Sequence, residues 1–267
     1  MKRLYFCLCL VVLVACYEPT KLATTAPSSG SIAVDGKLWS SLFHQKSAEY
    51  KALCIQAYNI ARLRLDNALA EGSAKPLAVI TDIDETFLDN SPYAVSRALQ
   101  GLDYDTTTWF DWTSKAIADS IPGSLGFFNY AASKNVEVFY VTNRKEKERA
   151  VTLQNLQRYG YPFADDRHLM PRQTSSSKEQ RRQNIAATYN IVLLIGDNLA
   201  DFSSVFDGRN STEQRAGSVQ QLAGEFGKKF IILPNINYGG WEDAVYGYRP
   251  LEPAKKDSAI KSNLKSF

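Results

Sequence analysis

The chain has 267 residues and a formal charge of +3, with 45% hydrophobic and 22% charged residues. That balance excludes a disordered polyelectrolyte and provides no concentrated positive surface for nucleic acid. Its cysteines, Cys7, Cys9, Cys16 and Cys54, are too few and too clustered at the start for a disulfide scaffold.

The N-terminus reads MKRLYFCLCLVVLVAC. Lys2 and Arg3 form a positive start, and Leu4 to Ala15 is an apolar run too short for a permanent membrane span. Leu13-Val14-Ala15-Cys16 resembles the lipobox of bacterial lipoproteins, which implies removal of residues 1–15 and lipid attachment at Cys16. Tyr17 rather than aspartate after the cysteine implies sorting to the outer membrane. Cleavage would remove Cys7 and Cys9, leaving Cys54 as a lone thiol that reads as buried and inert within an amphipathic helix. Residues 16–35, rich in Thr, Ser, Pro and Gly, read as a lipidated tether ahead of a single domain at 36–267.

The segment from Trp39 to Glu71 is rich in helix formers and stops at Gly72. Leu42, Phe43, Tyr50, Leu53, Ala57, Ile60 and Leu63 are its expected buried stripe. Beyond it, short apolar runs alternate with helical stretches: Leu77 to Ile80, Val136 to Val141, Ile191 to Ile195 and Phe230 to Leu233. Continuous Val/Ile/Leu runs separated by helices predict an α/β fold, a Rossmann-like parallel sheet with helices on both faces. Residues 91–122, between the first two runs, are long enough for a small, mainly helical cap. Lys145 to Arg149 reads as a solvated helix face with internal ion pairs. His44 and His168 stand alone and read as surface or satisfied structural histidines.

Each run ends in polar chemistry. The first is followed by Thr81-Asp82-Ile83-Asp84 and the second by Thr142-Asn143-Arg144. Gly196-Asp197-Asn198 follows the third, and Pro234-Asn235 the fourth. In open α/β sheets ligands sit beyond the carboxyl ends of the strands, so these groups converge on one edge. Singly, each aspartate could be an N-cap or a turn residue. Together they suit a hard cation such as magnesium, with Asp82 and Asp197 as carboxylate ligands and a backbone carbonyl near Asp84 as a third.

The segment Asp82-Ile-Asp-Glu-Thr86 resembles the DxDxT motif of the haloacid dehalogenase superfamily. VITDIDETFLDNSPY (Val79 to Tyr93) and LLIGDNLADF (Leu193 to Phe202) resemble the paired signatures of its class C, or DDDD, acid phosphatases. VFYVTNRK (Val138 to Lys145) and LPNINYGGWE (Leu233 to Glu242) resemble the lipoprotein e branch of that family. The resemblance spans roughly residues 38–250. It implies Asp82 as nucleophile and Asp84 as general acid/base, with metal ligation at Asp82, Asp84 and Asp197. It implies phosphate binding by Thr142, Asn143 and Lys178, and Asp201 in support of Lys178 and metal-bound water. Thr81 and Phe87 depart from the usual neighbours of the first signature without touching a reacting group.

The implied reaction is Mg2+-dependent hydrolysis of a small phosphomonoester through an aspartyl-phosphate. Carboxylate crowding around Asp84 would favour its protonated form and an acidic optimum. The resemblance further implies nucleoside 5′-monophosphates and nicotinamide mononucleotide as substrates, with Trp109 and Tyr238 as a stacking pair. It leaves a homodimer open. Glu85 reads as a group orienting the loop or as a plain exposed acid beside the motif, with the second preferred, and Trp112 and Trp241 read as core packing. Two rivals stand beside this reading: a broad phosphatase acting on sugar or aryl phosphates, and a non-catalytic surface-binding lipoprotein.

Overall fold

The structure is a computed structural model that describes residues 30–267. Cys16, its lipobox and most of the stretch read as a tether lie outside the described residues. The end of that stretch is helical instead: α1 (Ile32–Lys46) buries Ala33 and Val34.

A second helix, α2 (Ala48–Glu71), follows at once. The single helix expected from Trp39 to Glu71 is broken at Ser47, whose hydroxyl accepts from the Tyr50 amide at 3.1 Å and so caps α2. The buried stripe of α2 is Tyr50, Cys54, Ala57, Tyr58, Ala61 and Leu65. Leu42, Leu53 and Leu63, expected inside, are 49%, 45% and 56% exposed. Tyr50 and Ala57 are buried as expected and Phe43 and Ile60 pack against the core, but the apolar residues of these helices outnumber the places facing it.

Next come β1 (Leu77–Thr81), β2 (Leu88–Asp89), α3 (Ser91–Ala98), α4 (Thr106–Thr113) and β3 (Asp119–Ser120). The chain continues through α5 (Ser124–Ser133), β4 (Glu137–Lys145), α6 (Arg149–Tyr159) and β5 (Leu169–Arg172). It ends with α7 (Glu179–Thr188), β6 (Asn190–Gly196), α8 (Thr212–Gln221), β7 (Phe230–Ile232), α9 (Gly240–Val245) and α10 (Pro253–Asn263). The main sheet has the order β5-β4-β1-β6-β7, and every pairing in it is parallel. β5 had no signal in the sequence because it is short and carries Pro171. An edge strand tolerates a residue that cannot donate to the ladder.

Alternate side chains of each strand serve opposite faces. Val79, Val138, Tyr140, Leu193 and Ile195 join α2 and α5 in one buried cluster. Ala78, Ile80, Phe139, Val141 and Leu194 join Ile185 of α7, Phe202 and Phe230 in the other. Both faces are covered, which is why the strands read as unbroken apolar runs. The expected cap is α3 and α4, its entry and exit clasped by the antiparallel β2–β3 pair. α1 packs on both α3 and α10, tying the cap to the start of the described chain.

Candidate active site

β1, β4 and β6 deliver their C-terminal residues to one edge. Asp82 follows β1 directly, and its amide donates to the Ile195 carbonyl at 2.9 Å, which keeps the loop level with the end of β6. Asp197 follows β6. Its carboxylate accepts from the Thr86 hydroxyl at 2.9 Å and from the Asn235 amide at 2.8 Å. Asp201 accepts from the Asn198 amide at 2.9 Å, as the last member of a short capped turn. One oxygen each of Asp82, Asp197 and Asp201 lies within 4.8 Å of the others.

Three carboxylates that close repel one another strongly in a low dielectric. Lys178, at the start of α7, supplies the compensating charge: its ammonium contacts Asp82 and lies 2.7 Å from Asp201, with its side chain only 5% exposed. Burial alone would pull this lysine down, but Asp201 and Asp82 outweigh it and leave Lys178 above its ordinary value. Asp82 goes the other way. Burial raises it, Lys178 opposes, and Asp201 and Asp84 add to the rise, to about 7. Asp197 is raised well above the carboxylate range by burial, then by Asp201 and Asp82.

Asp201 can approach only because residue 196 has no side chain. A Cβ on Gly196 would lie 2.3 Å from an Asp201 carboxylate oxygen and 2.5 Å from its Cβ. Gly196→Ala is therefore expected to push Asp201 off Lys178, with a loss of about 1–3 kcal/mol in stability from overpacking. Any activity assigned to the site should fall at least about tenfold. A variant with wild-type melting and turnover would show that the loop yields freely.

Asp84 is not one of the three converging carboxylates, but its charge acts on both Asp82 and Glu85, and an arginine compensates it. Arg144 grips its carboxylate bidentately, through Nε at 3.1 Å to both oxygens and through a terminal nitrogen at 2.7 Å. The Asn90 amide donates to the same carboxylate at 2.9 Å. Arg144 is buried and braced by the Thr152 hydroxyl at 3.2 Å, and Asp84 outweighs burial to hold its guanidinium above the ordinary value. The sequence places Arg144 at this edge beside Thr142 and Asn143 but assigns it no role. The only available signal was a cation at a strand end among carboxylates.

Thr142 is fully buried and its hydroxyl accepts from the Arg144 amide at 3.1 Å. Asn143 faces the cavity, its side-chain oxygen accepting from Arg181 at 3.0 Å. Of its two readings, Glu85 is the loop-orienting group rather than the exposed acid: it is 1% exposed, at φ 54°, and accepts from the Asn90 amide at 2.9 Å. The Tyr238 hydroxyl also donates to Glu85. Burial, then Asp84, raises Glu85 well above its usual range. A left-handed backbone at a non-glycine residue is costly, and these hydrogen bonds hold it in place.

A cavity of about 1030 Å³ opens over this edge, walled by Asp82, Asp84, Lys178 and Asp197 at one end and by the cap at the other. Trp109 and Tyr238 both line it. Trp109 also meets Tyr93 edge-on at 5.2 Å, so part of the indole is packed within the cap. Trp112 is packed as expected and donates to Asn90 at 2.8 Å. Trp241, expected in the core, is 47% exposed. His168 is held by Asp165 and Glu137. His44 corrects its reading: it is buried, stacks on Tyr50 at 4.3 Å, and neither ring nitrogen has a partner. Burial pushes the lone Cys54 thiol up to about 11, in keeping with an inert core residue.

A family model described as "HAD superfamily, subfamily IIIB (Acid phosphatase)" matches residues 23–241. The class C acid phosphatase from Bacillus anthracis is 42% identical and superposes with a TM-score of 0.85, covering 88% of this chain and 99% of that one. The same enzyme solved with tungstate bound gives 0.84 at 42% identity, over 88% of this chain and 98% of that one. Acid phosphatase 1 of Solanum lycopersicum is 30% identical over 131 residues, 46% of this chain and 50% of the relative. A stem 31 kDa glycoprotein of Glycine max is 28% identical over 139 residues, 50% of this chain and 55% of the relative. The chain thus spans about half the length of these curated plant relatives.

Proposed function

Since the chain belongs to the acid phosphatases of HAD superfamily subfamily IIIB, we propose that it hydrolyses small phosphomonoesters through a phosphorylated Asp82. One observation carries the reading: Lys178 is buried between Asp82 and Asp201, beside Asp197, at the floor of an open cavity.

The donor set suits a hard divalent cation, because magnesium takes oxygen ligands and one or two carboxylates beside waters hold it. Asp82, Asp197 and the backbone carbonyl of Asp84 would hold it, with Asp201 beside them, and its charge would neutralise phosphoryl oxygens. Lys178, Asn143 and the backbone amides of the first loop hold the remaining oxygens. An oxygen of Asp82 attacks phosphorus and the ester P–O bond breaks, with Asp84 giving a proton to the leaving alkoxide. Water then attacks the same phosphorus, returns a proton to Asp84 and frees Asp82. Arg144 fixes the direction in which Asp84 points. A panel of phosphomonoesters assayed with and without magnesium tests this, and turnover unaffected by chelation would remove the metal from the scheme.

The cavity is far larger than a phosphoryl group, which supports a substrate with a sizeable leaving group. Aromatic faces beside a charged floor suit a planar base attached to a phosphate, such as a nucleoside 5′-monophosphate or nicotinamide mononucleotide. Trp109→Ala is expected to lower kcat/KM for nicotinamide mononucleotide about tenfold, since one stacked base is worth roughly 1–3 kcal/mol. Turnover of p-nitrophenyl phosphate should change much less. Equal losses on both substrates would assign the indole to cap packing alone and favour a broad phosphatase.

The N-terminal motif supports a lipid anchor at Cys16 and an outer-membrane location. Cys16→Ala should abolish palmitate labelling and leave the protein out of the membrane fraction. Full retention in that fraction would point to another means of attachment.

A further inference from the structure

The phosphoryl centre occupies one end of the cavity, and its cations there are already committed. Lys178 pairs with Asp82 and Asp201, and Arg144 with Asp84. On the flank formed by β4 and β5 the pattern reverses. Lys145 and Arg172 are register partners on these neighbouring strands, and Lys147 follows two residues later with its ammonium 4.1 Å from the Phe110 ring centre. All three line the same cavity as Asp82 and Asp84. Among the described residues none of the three is paired with a carboxylate.

The acids nearest in sequence are already engaged. Glu148 accepts from the Thr113 hydroxyl at 2.9 Å and from the Lys145 amide at 2.8 Å, and Glu146 accepts from Arg149 and Gln173. Arg97, Arg209 and Arg249 also reach the cavity without a carboxylate partner, but from other elements. Only the β4–β5 group combines adjacency in the sheet with the aromatic edge of α4. At about 3.3 Å per residue, Lys145 stands at most roughly 10 Å beyond Thr142 along β4. A ligand spanning from the phosphoryl end to this flank therefore brings a second anionic group to the three cations.

We propose that Lys145, Lys147 and Arg172 form a subsite for a second anionic group, so that the cavity favours bisphosphorylated nucleosides over monophosphates. The proposal rests on the phosphomonoesterase reading and adds a specificity determinant to it. The flank takes no part in bond making: it holds the distal phosphate by charge-assisted hydrogen bonds while the proximal phosphate is hydrolysed.

Purified full-length protein with magnesium is assayed on adenosine 3′,5′-bisphosphate, adenosine 5′-monophosphate and p-nitrophenyl phosphate. The bisphosphate is expected to exceed the monophosphate in kcat/KM by roughly tenfold, carried by KM and shrinking as potassium chloride is raised. In a Lys145→Gln, Arg172→Gln double variant that ratio should fall to about one. The exposed Lys147→Gln variant, read by the same ratio, covers poor folding of the double variant and should lower it about threefold. A wild-type ratio near one, or a ratio the same in wild type and variants, overturns the subsite. Failure of the wild type to cleave even p-nitrophenyl phosphate overturns the phosphomonoesterase reading, and the subsite with it.

Discussion

Asp82→Asn is expected to lower kcat by on the order of 10⁴-fold while leaving the fold intact or more stable. The large loss follows from the proposed chemistry, because an amide oxygen is too weak a nucleophile to form the acyl phosphate and no other side chain takes that position. The stability effect follows from electrostatics. Asp82 is raised to about 7 by burial and by Asp201 and Asp84, so the folded protein resists its ionisation. A carboxyl raised in the fold contributes stability that is present below its unfolded value, near 4, and lost as pH rises through the folded value. With chelator present, wild-type melting temperature should therefore fall between about pH 4 and pH 7. Asparagine keeps an acceptor for Lys178 without a charge, so the variant should lose less over that window. Activity within tenfold of wild type would rule out Asp82 as nucleophile, and a steeper pH decline in the variant would refute the electrostatic account.

Lys178→Met should damage both properties. Its ammonium is the cation that lies between Asp82 and Asp201, and its side chain is 5% exposed. Removing one partner of a buried ionic group costs about 3–5 kcal/mol, because the charges left behind are uncompensated. Methionine nearly conserves volume, so the loss reports charge rather than a void. Turnover should fall roughly 10²–10³-fold, the scale seen on deleting a preorganised electrostatic donor. Lys178 is held above its ordinary value, so its own contribution is constant from pH 4 to 9. Without it, Asp82 should titrate higher still, and the loss of stability should extend to higher pH. Magnesium should recover part of the stability in the variant. Melting within about 1 kcal/mol of wild type in chelator, together with near-normal kcat, would mean that the carboxylates are better solvated than their burial implies.

The two substitutions also separate structure from chemistry. One removes a charge that the fold resists, and the other removes a charge that the fold needs. A purely structural role for the cluster would tie activity to melting temperature in both. The proposed role predicts opposite signs for stability with losses of activity in each.

Much of this molecule is legible in its sequence. The unbroken apolar runs at β1, β4, β6 and β7 announced a sheet covered on both faces, and the polar residues ending each run announced the edge that carries chemistry. Asp82 and Asp197 could be named because a strand end is a local property, set by where a run of β-forming residues stops, whereas Asp201 came from the resemblance of LLIGDNLADF. β5 escaped notice because an edge strand needs little propensity once a neighbour supplies half its hydrogen bonds. The stripe of α2 is only partly legible, with Tyr50 and Ala57 buried but Leu53 and Leu63 exposed, because helical period shows that a face exists without choosing among competing apolar residues.

What only the tertiary structure decided was who faces whom. Local sequence contains nothing that turns Asp84 onto Arg144, pulls Glu85 under Tyr238 or leaves His44 buried without a partner. Those outcomes depend on segments far apart in the chain meeting in a low dielectric, where each charge takes whatever compensation lies within reach. Residue type set the chemistry that could occur, and packing selected which charges were neutralised and which, on the β4–β5 flank, were left for a ligand.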